Sequence, residues 1–397
     1  MRTRNVLVGS SLIALVAALG IAQQQLERTA SAQSKAAVQA PRFEVDPMWP
    51  KPMPNHWLLG NTIGVGIDSR DHVYIIHRGA TLEEKEVYAS ANPPASECCL
   101  PAPPVLEFDA EGNFVKGWGG PGAGYEWPAS NHGITPDSKG NLWIGGNGAS
   151  DNHILKFTRD GKFVKQFGFA WANSGSNDTW AFSRVAKVSL DEAANEAYVA
   201  DGYGNKRVAV LDMETGKVKR FWGAYGNKPD DTNLGNYNPG APPVQQFRNP
   251  VHCAEPSNDG NVYVCDRPND RIQVFTKAGK FVKEAFVAKN TRGDGSVWDI
   301  AFSKDPQQKY MYMADGANEK IRVFDRESLT ELTSFGDGGR QPGQFYAVHS
   351  IAVDSKGNLY TTETYRGQRL QKFVYKGLAP VTKQNQGTVW PTRTSTH

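Results

Sequence analysis

The chain has 397 residues, with 44 Lys and Arg against 41 Asp and Glu, 40 Gly, 24 Pro and 11% aromatic residues. So even a balance gives no electrostatic case for nucleic acid or an anionic membrane surface. Abundant turn formers, with no sustained helical periodicity after residue 25, exclude a helical bundle and favour an all-β chain.

The N-terminus starts basic (MRTRN), runs apolar through VLVGSSLIALVAALGIA (6–22) and reaches the small-residue motif Ala30-Ser31-Ala32. This reads as a secretory signal peptide over 1–32, with an uncleaved anchor as the alternative. Cleavage would remove Arg2, Arg4, Arg28 and Glu27, leaving 41 basic residues against 40 acidic ones. The expectation is a periplasmic or secreted protein with no membrane contact after processing. Residues 33–42 read as a linker.

FEVDPM (43–48) is a lone strand pattern. A first strand pair follows at IGVGIDSRDHVYIIHRG, beginning at Ile63. A Pro-rich insertion, ANPPASECCLPAPP, then separates it from the hairpin VLEFDAEGNFVKGWG (105–119). Next comes HGITPDSKGNLWI from His132, with its own hairpin at 154–168. Further copies begin at Ala186, His252, Trp298 and His349. Each copy alternates apolar and polar residues on both sides of a turn, the pattern of half-buried antiparallel strands. The last copy stops at LQKFVYKG (370–377) without a fourth strand, which FEVDPM could supply. These features predict an all-β, six-bladed β-propeller of four-stranded blades over residues 43–378, its ring closed by the N-terminal strand. The tail 379–397 is polar and is expected to be disordered.

Three copies share more than a pattern. His132, His252 and His349 are each followed by Gly at +8, Asn at +9 and an aromatic at +11. They fall in the second, fourth and sixth copies, about 120° apart around a propeller axis and at one height. Three imidazoles so placed form a tripod for a divalent metal, Zn²⁺ foremost, with a coordination position left open. A single His at such a strand start would more simply bond a neighbouring loop. Three of the chain's eight in one register point to metal. The odd copies put Ile63, Ala186 and Trp298 at that register.

Arg78 and Tyr203 follow the second strands of copies one and three, at positions near the equivalent of Asp266. An Arg at a channel mouth can hold a carboxylate, and a Tyr beside a cation can serve as acid or base. A surface salt bridge for Arg78 and a turn role for Tyr203 are the plainer alternatives. Cys253 and Cys265 sit on two strands of one hairpin and could bridge. Cys98 and Cys99 could form a vicinal bridge or stay free.

Together HRG in copy one, DGYGN-R in copy three, DR-N-RIQVF in copy four and the registered histidines resemble the NHL-repeat peptidyl-α-hydroxyglycine α-amidating lyases. The resemblance spans roughly 43–377. It implies zinc on His132, His252 and His349, with Arg78 and Tyr203 catalytic. The implied reaction splits the C–N bond of a carbinolamide into an amide and glyoxylate. The resemblance also implies a structural calcium, on backbone carbonyls matching Val65 and Ile134 and on an Asp directly after the last His. Here Ser350 stands in that place, and Asn131, Val251 and Val348 replace the prolines that usually precede the ligands.

Two other functions fit the same residues. One is a metal-dependent lactone or ester hydrolase on this scaffold. The other is a non-enzymatic binding module presenting the long loop 223–247. The expected partner is a small-molecule or peptide substrate, and the expected state is a monomer.

Overall fold

A computed structural model describes Gln23, residues 38–173 and residues 175–381. Apart from Gln23, the span 1–32 read as a signal peptide lies outside the described residues, as does most of the polar tail. Six four-stranded antiparallel sheets follow one another in the chain. The innermost strands of blades one to six are Asn61–Ile67, Asn131–Pro136, Lys187–Asp191, Val251–Pro256, Asp299–Phe302 and Val348–Val353. Each of the first five blades runs outward strand by strand to its fourth.

The sixth blade has three strands from the C-terminal end and one from the N-terminal end. Gln39–Asp46 pairs antiparallel with Arg369–Pro380, Val45 opposite Phe373. The expected closure by the N-terminal strand is therefore present. The paired segment is longer than expected: it starts at Gln39, inside the span read as a linker, and its partner runs to Pro380. Backbone pairing sets those limits, and the hydropathy of Gln39 and Ala40 gives no sign of it.

The hydrophobic core is divided into six clusters, one between each pair of neighbouring blades. Strand alternation makes this possible. In blade three, Tyr198, Ala200 and Val208 pack toward blade four. Ala197, Val199 and Ala209 pack toward blade two. Each sheet is thus buried on both faces, and no single core has to hold the whole ring together.

The repeat glycines have a backbone reason. Gly140, Gly260 and Gly357 sit at φ +78°, +84° and +85°, a left-handed turn that disfavours a side chain. Beside them, Asn141 and Asn358 donate from their side-chain amides to Asp137 and Asp354, locking the hairpin. The left-handed glycine turn between the first and second strands recurs in all three histidine blades, so the histidines arrive in one register.

The second-to-third-strand loops are fixed differently. Asp201 pairs with Arg207 at 2.8 Å and Asp266 with Arg271 at 2.7 Å, all four side chains fully buried. Each pair closes the base of a loop, one carrying Tyr203 and the other Arg267. The 79–104 insertion is tied down by a short parallel pairing of Leu100–Pro101 with Trp57–Leu58. Cys253 and Cys265 lie opposite each other in register and are bridged, as are Cys98 and Cys99.

Candidate metal centre

The innermost strands crowd the axis. A Cβ on Gly133 would lie 2.8 Å from the Ala186 carbonyl oxygen, so the residue after His132 has little room for a side chain. This close approach brings His132, His252 and His349 together. Their ring centroids are 4.8–5.1 Å apart, and their facing ligand atoms all lie within 4.8 Å of one another. All three are buried, at 2–4% exposure.

Each ring is oriented from behind by the following odd-numbered blade. His132 Nδ1 bonds the Ala186 carbonyl at 2.6 Å and His349 Nδ1 bonds the Ile63 carbonyl at 2.6 Å. His252 Nδ1 bonds the Trp298 carbonyl. A carbonyl only accepts, so each Nδ1 carries the proton and each Nε2 keeps its lone pair. The residues that replace histidine in the odd blades therefore orient the histidines of the even ones.

Burial keeps these imidazoles neutral. It drives His132 and His252 well below the ordinary histidine value, helped by Arg78 and Arg267 at His132 and by Arg267 at His252. His349 falls to about 3, first by burial and then by Arg267. Three neutral nitrogens with lone pairs turned to one point fit a borderline-soft divalent ion such as zinc.

Tyr203 closes the top of this point. Its hydroxyl lies 3.1 Å from His132 Nε2 and 3.0 Å from His252 Nε2. Arg78 stands at the same mouth but is anchored elsewhere. Its guanidinium donates to the Asn131 carbonyl at 2.9–3.0 Å and to the Asn147 side chain at 2.7 Å. It thus braces the backbone next to His132.

Arg267 is a site residue that the motif reading passed over. It is 6% exposed and donates to the Tyr203 hydroxyl at 3.3 Å. Its guanidinium also lies 4.6 Å from the centre of the Trp298 ring. The signal was within reach, since Arg267 directly follows Asp266, the reference position used to place Arg78 and Tyr203.

Beneath the histidines the channel holds an ion cluster. The Lys187 ammonium meets Asp299 at 2.8 Å and Glu255 at 2.7 Å, and Ser350 donates to Asp299 at 2.7 Å. A single ammonium stands between the two carboxylates, where a calcium ion would have to bind, so the donors here do not fit one. Among the described residues, the three histidines are the one His, Cys, Asp or Glu group close enough to hold a metal.

Residues 150–363 match the family model described as "Lactonase, 7-bladed beta-propeller", more than half of the chain. The chain belongs to this lactonase propeller family. Within it, the described residues close on six blades, where the family description gives seven. This lactonase-type propeller is also similar to mouse NHL repeat-containing protein 3, with 23% identity over 369 residues, covering 88% of this chain and 89% of that one. Peptidyl-glycine alpha-amidating monooxygenase B of Xenopus laevis is 30% identical over 154 residues, 38% of this chain and 16% of that protein's length. A structural genomics protein of unknown function from Bacteroides thetaiotaomicron shares the fold, with a TM-score of 0.51 at 14% identity over 85% of this chain and 77% of that one.

Proposed function

We propose that this propeller is a secreted or periplasmic metal-dependent lyase that cleaves the C–N bond of a carbinolamide, such as a peptidyl-α-hydroxyglycine, to an amide and glyoxylate. One observation carries the reading: the Tyr203 hydroxyl touches two of three converging Nε2 atoms and also receives a guanidinium N–H from Arg267. An acid–base group thus stands at the open side of a candidate metal site. The Cys253–Cys265 bridge supports the oxidising compartment.

His132, His252 and His349 would hold the ion, and zinc bound there would supply Lewis acidity towards substrate oxygen. The remaining work falls to side chains. Arg267 and Arg78 place positive charge where a substrate carboxylate would lie. Tyr203 passes the carbinol hydroxyl proton to the amide nitrogen. As that proton leaves oxygen, the C=O bond of glyoxylate forms, the C–N bond breaks and its electron pair stays on nitrogen. Atoms and charge balance without another reactant.

The test is glyoxylate release from α-hydroxyhippurate by the metal-loaded protein. Release that falls roughly 100-fold or more in Tyr203→Phe, with metal content unchanged, supports the assignment. No release above background overturns the lyase reading.

A second reading is a lactone or ester hydrolase at the same centre, favoured by the family match over 150–363. Turnover confined to a lactone and ester panel, with no C–N cleavage, would select it.

A further inference from the structure

Beside the histidine centre, the loop after blade three walls a pocket of about 840 Å³. Its charged lining is Lys206, Arg248, Arg267 and Arg292, against Asp231 and Asp294. Both carboxylates are already engaged. Asp231 accepts from the Ser176 backbone at 2.9 Å and from its hydroxyl. Asp294 accepts from the Tyr365 hydroxyl at 2.8 Å and lies 3.5 Å from Arg267.

The cations are less well matched. Lys206 and Arg248 donate to the carbonyls of Thr232 and Gly235, which are neutral acceptors. The buried Nε of Arg267 has no hydrogen-bond partner. Arg292 is exposed and makes no hydrogen bond or ion pair with any described residue. A concave surface with excess positive charge concentrates its field on whatever enters. The guanidinium fork is matched by a carboxylate.

Arg267 joins the pocket to the histidine centre, since it lines the one and donates to Tyr203 at the other. We propose that it binds a carboxylate remote from the scissile bond, so that the preferred substrate is acidic: a carbinolamide whose acyl portion carries a second negative charge. This rests on reading the histidine centre as the place of reaction. A neutral acyl group would leave Arg292 without an anionic partner.

The probe is glutarate, compared with its monoamide and with inorganic phosphate, in calorimetric titrations of the full chain. Glutarate should bind at least tenfold tighter than the monoamide and weaken as sodium chloride rises. Arg292→Gln, an exposed and unpaired position, should weaken glutarate roughly fivefold with unchanged circular dichroism. Lys206→Met should weaken it as well. Equal binding of glutarate and monoamide, or indifference to Arg292→Gln, overturns the proposal. Tighter binding of phosphate with the same Arg292 dependence overturns the carboxylate assignment.

The two readings fail separately. Glutarate binding without any C–N cleavage removes the reaction class and leaves the pocket. Cleavage of neutral and acidic hydroxyglycine amides at equal kcat/KM removes the pocket's role and leaves the lyase.

Discussion

The Nδ1–H of His132 donates to the carbonyl of Ala186 at 2.6 Å, across the seam between blades two and three. Ala186 is the residue at the histidine register in its own blade. The same relation joins His252 to Trp298 and His349 to Ile63. The ring thus alternates blades that offer an imidazole with blades that orient one, and it sets the tautomer that presents Nε2.

The first prediction concerns that tautomer. In the metal-free protein at pH 6, nitrogen-15 NMR should show neutral Nδ1–H rings for all three histidines. Their values in the fold are depressed, so the folded state refuses protons that the unfolded chain accepts. Stability is therefore present above about pH 6.5 and is lost as pH falls below it. Denaturant melts between pH 7.5 and 5 should show this slope. His252→Ala should reduce it and also lower bound zinc from one per chain, as read by elemental analysis.

Arg267 should matter as much as Tyr203. Arg267→Gln removes the guanidinium that faces both the phenol and the Trp298 ring. Turnover should fall roughly tenfold to a hundredfold with bound metal retained. Arg267→Lys should recover little, because an ammonium cannot reproduce the planar contact with the indole. Wild-type kinetics in the glutamine variant would remove Arg267 from the site.

Lys187 is expected to be structural. Its ammonium is held charged by Asp299 and Glu255 despite burial. Lys187→Met strands those carboxylates inside the channel and should cost about 3–5 kcal/mol in unfolding free energy. Melts with added calcium would show whether a divalent ion can replace the lost charge, and restored stability would mean that the channel accepts one.

Glu319 gives a pH dependence of opposite sign to the histidines. Its carboxylate accepts from the Ala347 backbone at 2.6 Å, just ahead of the His349 strand. Burial, with Glu363 and Asp315 nearby, raises it from 4.5 to about 7. The folded state holds this proton more tightly, so stability declines as pH rises from about 4.5 to 7. Glu319→Gln should flatten that decline, and its melting temperature relative to wild type should climb between pH 5 and 8. A parallel shift at all pH values would contradict the assignment.

Blade number, turn positions and the shared register of three histidines were all readable in the chain, because each follows from local alternation and turn chemistry. The closing strand could be anticipated from a blade that lacked one, but its start at Gln39 could not, since pairing there leaves no mark in hydropathy. Tyr203 is marked in the sequence by its place after a strand end. Arg267 has a similar place, yet its aim at the Tyr203 oxygen depends on the buried Asp266–Arg271 pair and on the Trp298 face. Periodicity along the chain set where each ring leaves its strand. Only the closed ring decided what stands behind each Nδ1, which ammonium fills the channel below and which cations gather at the mouth. Those contacts join residues from different blades, and their geometry exists once the hydrophobic seams have brought the sheets around the axis.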